Sequence, residues 1–152
     1  MREWLVALAA ALLIATVLRA TLFTIIRVNG KSMTPTLENR ERLLVTIADV
    51  RLGSVRRGDV VICRFPGRRR TLFVKRVVAV PGDGIYRAEG VTHVLAGNNP
   101  EADMPLDPNR HFYKPEDDYE PVVLGKDEYF VVGDNRYRSH DSRNWRDSRP
   151  PD

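Results

Sequence analysis

The sequence predicts a mainly β domain preceded by one amino-terminal transmembrane helix. Three observations carry this expectation. A nearly unbroken apolar stretch runs from Trp4 to Ile26, short β-branched runs follow it, and clusters of Gly, Pro, Asp and Asn stand between those runs where tight turns are needed. At 152 residues the chain has room for a membrane segment and one compact domain.

From Trp4 to Leu18 every residue is apolar or small except Thr16, and after Arg19 the apolar character resumes through Ala20 to Ile26. About 23 residues rising about 1.5 Å each suffice to cross a hydrocarbon core of about 30 Å. Arg19, near the far end, can extend its guanidinium to the headgroups. Two other readings share this composition. A cleavable signal peptide fits the short apolar run before Arg19, and a globular core helix fits less well because the segment is apolar nearly all round. Counting positive charge sets Arg2 and the amino terminus against Arg27, Lys31, Arg40 and Arg42, which would place the following domain in the cytoplasm.

Strands are expected at Arg42 to Ile47, Asp59 to Phe65, Thr71 to Val80 and Glu128 to Val132. Turns are expected at Gly53, Arg57-Gly58-Asp59, Pro66-Gly67, Pro81-Gly82-Asp83-Gly84 and Gly133-Asp134-Asn135. Gly97 to Pro121, rich in Pro, Asp and Asn, reads as an irregular surface insertion. The run Arg68-Arg69-Arg70 follows Pro66-Gly67 and reads as a solvated loop tip that can attract anionic headgroups.

The net charge is +4, but 20 acidic residues are spread among 24 basic ones and no basic patch is interleaved with aromatics, so nucleic acid is not an expected partner. Cys63, the single cysteine, excludes an intrachain disulfide and cannot form a zinc site alone. It lies in an expected strand with no histidine near it in sequence, and reads as a small buried side chain rather than a catalytic thiol. No cofactor or metal is implied.

Three stretches carry chemistry. The first is Val28-Asn29-Gly30-Lys31-Ser32-Met33-Thr34-Pro35-Thr36-Leu37, in which Gly30 lets the backbone approach a substrate, Ser32 offers a hydroxyl and Pro35 fixes the turn that follows. Taken singly, a serine in such a turn is far more often structural than catalytic. The second is Phe73 to Asp83, where strand alternation puts Phe73, Lys75 and Val77 on one face. A lysine there commonly snorkels from a sheet edge. If its ammonium is buried, desolvation lowers its pKa from about 10.4 toward neutrality and makes it a usable base, as a serine nucleophile without histidine requires. The third is Val131 to Arg143, a loop dense in hydrogen-bonding groups, in which Asp134, Asp141, Arg136 and Arg143 are either ion-paired or solvated.

In this order the three stretches resemble the type I signal peptidases, the bacterial leader peptidases of the S26 serine protease family. The resemblance runs from about Glu3 to Arg143, and Gly30 to Leu37 with Asn39-Arg40-Glu41-Arg42-Leu43 is similar to the short Gram-positive branch. It implies a signal-peptidase-like β domain with Ser32 as nucleophile, Lys75 as general base and Ser139 as a hydroxyl that orients the lysine amine. The oxyanion hole would be the Ser32 main-chain amide with the neighbourhood of Gly30, where some relatives carry a serine instead. The resemblance gives no role to His140 beside Asp141, so a Ser-His-Asp triad is disfavoured, and His93 and His111 read as surface residues.

The resemblance also implies the setting. Residues 1–26 would be a cytoplasmic tip and transmembrane anchor, and 27–152 an extracytoplasmic β-rich catalytic domain at the plasma membrane, against the charge count. The partners would be the lipid bilayer and the signal peptides of secreted preproteins, cut after Ala-x-Ala. After Asp141-Ser142-Arg143, such proteases usually continue with an aromatic-Gly segment and a further strand. This sequence instead reads Asn144 to Asp152, so either a terminal strand is missing, which would expose a sheet edge, or the sequence is truncated. A membrane-tethered paralogue that binds preproteins without turnover is the alternative, and Ser32, Lys75 and Ser139 argue against it. Self-cleaving repressors share Ser-Lys chemistry but carry a DNA-binding domain where this chain has its apolar segment.

Overall fold

The computed structural model describes residues 2–47, 55–65, 68–107, 114 and 117–145. Gly53, the Pro66-Gly67 turn, His111 and the tail after Trp145 lie outside them. The chain divides into two units, one of Met1–Gly30 with Glu38–Val55 and one of Lys31–Leu37 with Arg56–Asp152.

The first unit begins with helix α1, Arg2–Leu22, in which the strong helix formers Leu and Ala predominate. The apolar stretch was expected to stay helical to Ile26, but the helix stops at Leu22 and Phe23–Arg27 forms strand β1. The reason is local. Thr24, Ile25 and Ile26 are β-branched and lose side-chain freedom in a helix. As a strand they pair antiparallel with β2, Arg42–Thr46, with Ile25 opposite Leu44 and Ile26 opposite Leu43. Apolar side chains of α1 are exposed, Trp4 at 82% and Leu13 at 66%, so no other described residue covers them. Among the described residues no helix is long and apolar enough to cross a membrane.

The second unit holds two antiparallel sheets. One has the order β3-β4-β9, from Val60–Phe65, Arg68–Ala79 and Phe130–Val132, and contains three of the expected strands. Because β4 starts at Arg68, the arginine run is the first part of a strand rather than a loop tip. The other sheet has the order β7-β6-β5-β8, built from β5 Gly84–Ala88, β6 Val91–Leu95, β7 Asp103–Pro105 and β8 Tyr119–Val123.

That second sheet corrects the reading of Gly97 to Pro121 as irregular. The segment contains β7, the start of β8 and a one-turn 3-10 helix at Pro100–Ala102, which Asn99 caps by accepting the Glu101 N–H. The β5–β6 hairpin turns on Glu89 and Gly90, both at positive φ (51° and 74°), the geometry of a two-residue type I′ turn. Asp118 accepts both of their amide protons, at 2.7 and 3.1 Å, and so stabilises a left-handed glutamate.

The core lies between the sheets of this unit. Ala79, Phe130 and Val132 from one pack with Ile85 and Val94 from the other, and Val78, Leu106, Tyr119 and Leu124 close the margin. Beside it, buried Asp83 accepts hydrogen bonds from Arg57, Val80 N–H and Gly97 N–H, tying the turn after β4 to both flanking segments. Ile85→Ala should lower the unfolding free energy by about 3 kcal/mol, whereas Met104→Ala on exposed β7 should stay within about 0.5 kcal/mol. Denaturant titration of the two variants measures this, and equal losses would place the core elsewhere.

Candidate active site

Lys75 sits in the middle of β4, with Val61 of β3 opposite it and Arg76 opposite Val132 of β9. Alternation along the strand sends Lys75 and Val77 into the interior, each 1% exposed, and sends Arg76 the other way. Arg76 there spans three segments: it forms a bidentate pair with Asp134 at 2.8 and 2.7 Å, and donates to the Gly58 carbonyl at 2.6 Å and to Thr36 Oγ1 at 3.5 Å. Its guanidinium holds the Asp134 carboxyl below the usual carboxylate range.

Ser32 lies in the short segment Lys31–Leu37 of the same unit. Buried Met33 anchors this segment, the Leu37 N–H donates back to the Met33 carbonyl at 3.0 Å, and the Thr34–Pro35 peptide is cis. The Ser32 carbonyl accepts the Asn135 N–H at 2.9 Å. Gly133 presses against it so closely that a Cβ there would collide with both this carbonyl oxygen and Ser139 Oγ. Only glycine permits that approach.

The result is a hydrogen bond between Lys75 Nζ and Ser32 Oγ of 2.8 Å. A charged amine donates this bond, and a neutral amine accepts it from the hydroxyl. Burial lowers the Lys75 pKa; the Asp141 carboxylate works against this and Arg143 works with it. The Phe73 ring, its centroid 5.5 Å from Nζ, forms part of the dry surroundings. Among the described residues, Ser32 Oγ is the hydrogen-bond partner of Nζ, and the Ser32 N–H has none.

Ser139 is brought to the same place through Asp141. The Ser139 hydroxyl donates to Asp141 Oδ2 at 2.5 Å, and the same fully buried carboxylate accepts the Gly133 N–H at 2.9 Å and Arg143 Nε and Nη2 at 2.9 and 3.0 Å. Burial alone would raise the Asp141 pKa, but Arg143, Ser139 and Gly133 together hold it below its ordinary value. The loop charges are thus paired, though with partners the sequence did not specify: Asp141 with Arg143, and Asp134 with Arg76 of β4.

Gly30 belongs to the other unit. Its φ of 114° explains the glycine, and its N–H donates to Asn39 Oδ1 at 2.9 Å. That amide is committed and is not a free oxyanion donor. Cys63 hydrogen-bonds the Phe73 carbonyl at 3.7 Å, and burial pushes its thiol up to about 11, so it is a protonated packing residue at neutral pH. His93 pairs with Asp103 and stacks on Tyr86, while exposed His140 meets Trp145 edge-on. Among the described residues no cluster of His, Cys and carboxylates is arranged to hold a metal ion.

Sequence reasoning missed Gly133, Asn135 and Arg76 as parts of the site. Their signals were the Gly-Asp-Asn run directly after a strand and the arginine directly after the lysine. The arrangement sets a hydroxyl beside a desolvated amine and a backbone amide with no partner among the described residues, groups of the kind that acyl transfer uses.

Comparison with known proteins agrees. The model of a family described as signal peptidase, peptidase S26, matches residues 1–147. The chain is 36% identical over 148 residues to signal peptidase I P of Bacillus subtilis subsp. natto, and 37% identical over 149 residues to signal peptidase I of Bacillus licheniformis. Each alignment covers 93% of this chain and 77% of the relative. Signal peptidase IB of Staphylococcus aureus (strain COL) is 31% identical over 156 residues, covering 93% of this chain and 78% of the relative.

The lowered Lys75 pKa also marks stability. Unfolding returns the amine to its ordinary 10.5, so between the lowered value and 10.5 the unfolded chain binds one more proton than the native protein. The contribution of Lys75 to stability therefore falls as pH drops from 10.5 to the lowered value, and levels off below it. Lys75→Met lacks this penalty. Its stability relative to the parent should be greatest at neutral pH and decline as pH rises toward 10.5, as measured by urea unfolding in detergent across that range. An advantage that grows with pH would mean the native amine is charged.

Proposed function

This chain belongs to the signal peptidase family, peptidase S26, and is a serine endopeptidase of signal-peptide processing; on that premise we propose that it cleaves exported preproteins after Ala-x-Ala with Ser32 as nucleophile and Lys75 as general base. The observation that carries this reading is the 2.8 Å contact between Ser32 Oγ and an amine whose pKa burial lowers.

In the proposed reaction, neutral Lys75 accepts the Ser32 proton as Oγ attacks the scissile carbonyl. The developing oxyanion takes the Ser32 N–H, which has no other partner among the described residues. The resulting ammonium then gives its proton to the leaving amine, and the same lysine activates the water that releases the acyl group. The proton of Ser139 goes to Asp141, so toward Lys75 its oxygen can act only as acceptor. Accepting an N–H of the neutral amine would turn the Nζ lone pair toward Ser32.

The proposal places α1 in the plasma membrane as a single-pass anchor, with residues 27–152 on the extracytoplasmic side, where signal peptides emerge. Its support is the exposure of apolar side chains on α1, such as Trp4 and Leu13, and of Ile25 and Leu44 on the ribbon that follows. Holding the site at the bilayer raises its effective concentration near membrane-inserted substrates.

Ser32→Ala and Lys75→Ala should each reduce kcat by at least about 1,000-fold on a signal-peptide substrate, and the double variant should be scarcely worse, because the pair acts as a unit. Lys75→Arg should be as inactive as Lys75→Ala, since a guanidinium stays charged. Additive losses, or an active arginine variant, would separate the two residues. The acidic limb of the pH–rate profile should survive simultaneous replacement of His93, His111 and His140 by Gln.

Specificity is read from substrate variants. An extended peptide added beside a strand sends alternate side chains into pockets, so small residues are expected at the first and third positions before the cut. Leu or Phe at either should lower kcat/KM by about 100-fold. Indifference to the third position would mean a different groove.

A further inference from the structure

We propose that Arg87, on β5 of the second sheet, is a positioning residue for the active site: its buried guanidinium holds the Arg143 carbonyl and thereby sets the loop that carries Asp141, Ser139 and Gly133 against Ser32. This rests on the reading of Ser32 and Lys75 as the reacting pair.

The pattern of β5 first singles Arg87 out. Ile85 and Arg87 are two apart, so they share a face, and both are buried, at 2% and 5% exposure. Ile85 fills the core, and an arginine occupies the next core-facing place, where an apolar residue would be expected. A buried guanidinium is expensive unless its N–H groups are paired. Here Nη2 donates to the Arg143 carbonyl at 3.0 Å, Nη1 donates to the Asp117 carbonyl at 3.2 Å, and the Tyr119 ring lies 5.2 Å from the guanidinium carbon. A planar fork can bridge two carbonyls from separate segments in fixed relative positions, and a lysine cannot do so in the same way.

Arg143 is therefore gripped at both ends. Its carbonyl is held by Arg87, and its guanidinium braces Asp141 and donates to the Arg136 carbonyl at 2.9 Å. Asp107, just after β7, reaches Arg143 Nη1 at 3.8 Å and Arg136 Nε at 3.7 Å, a second contact from the same sheet. Asp141 carries the constraint onward, through the Ser139 hydroxyl and the Gly133 N–H, to the carbonyl of Ser32.

The charged and titratable groups acting on Lys75 are Asp141 and Cys63, which raise its pKa, and Arg143, which lowers it. If Arg143 loosens, the Asp141 charge is less compensated and Lys75 keeps its proton to higher pH. A role confined to core stability would not move that titration.

The test uses the full chain in detergent micelles, with Arg87→Met, which removes the donors but keeps apolar bulk, and Arg87→Lys, which keeps one ammonium. For Arg87→Met, kcat should fall about tenfold with KM within about twofold, and the acidic limb of kcat should move to higher pH. Residue-resolved amide exchange should show Gly133 exchanging about tenfold faster while Val94, in the core of β6, keeps its protection. Arg87→Lys should lie between parent and Met in each measurement, and it serves alone if the Met variant does not fold. An unmoved acidic limb with unchanged Gly133 exchange would overturn the proposal. So would equal acceleration at Gly133 and Val94, which means general destabilisation. Cleavage by the parent that Ser32→Ala leaves intact would instead sink the reading underneath, and the exchange comparison would still judge Arg87.

Discussion

The site depends on one constraint, that an amine at the centre of a sheet is denied water. Lys75 is almost wholly buried, and among the described residues its charged form has neither solvent nor a directly bonded carboxylate to compensate it. Burial therefore lowers the amine pKa, and in the proposed reaction the neutral form beside the Ser32 hydroxyl is the base. Its neighbour Arg76 shows the other outcome available on the same strand. One residue along, the side chain leaves by the opposite face, finds Asp134, and stays charged as a structural tie. Strand alternation alone separates the two roles.

Holding down the pKa of a lysine next to a carboxylate requires that the carboxylate be occupied. Asp141 is close enough to raise the Lys75 pKa, and it is fully buried. Left unpaired it would either draw a proton to the lysine or take one itself. Arg143 answers both difficulties, because it neutralises Asp141 and its own charge disfavours the ammonium. β4 and β9 carry and flank the amine, and Arg87 of the second sheet donates to the Arg143 carbonyl in the loop whose charges adjust the pKa that burial lowers. Asp83 with Arg57 repeats the principle in a structural setting, where burial favours protonation and the guanidinium with two backbone amides outweighs it.

Elements were legible in the sequence where burial follows an apolar pattern. β2, β3, β4 and β9 are β-branched runs bounded by turn residues, and the lysine face was visible from spacing within β4. The second sheet was hidden because its burial is partly polar. Arg87 and Thr92 face inward, and the β5–β6 hairpin turns on Glu-Gly rather than the usual Asn-Gly, with Asp118 from β8's approach supplying the missing stabilisation. β1 was hidden for the opposite reason, since a strand and a membrane helix both read as apolar when Thr and Ile are mixed with Phe and Leu. The motifs that hold Ser32 and Lys75 were visible in the sequence, and the fold brings the two side chains to 2.8 Å. Gly133 was not, because its requirement for no side chain arises from the approach of two segments far apart in sequence.

The lysine face also carries a thiol, and its fate supports the proposal that the hydroxyl is the nucleophile. Cys63 pairs across the sheet with Phe73, two residues from Lys75 and on the same side. The dryness that lowers the amine pKa raises the thiol to about 11, because in both cases burial disfavours the charged form. For an amine, neutrality means basicity. For a thiol it means inertness, since the thiolate is the reactive species. A desolvated sheet face therefore acts on both groups by the same physical effect: it lowers the pKa of the amine and raises that of the thiol. A hydroxyl escapes that penalty, because in the proposed mechanism it needs no charge of its own until the lysine takes its proton.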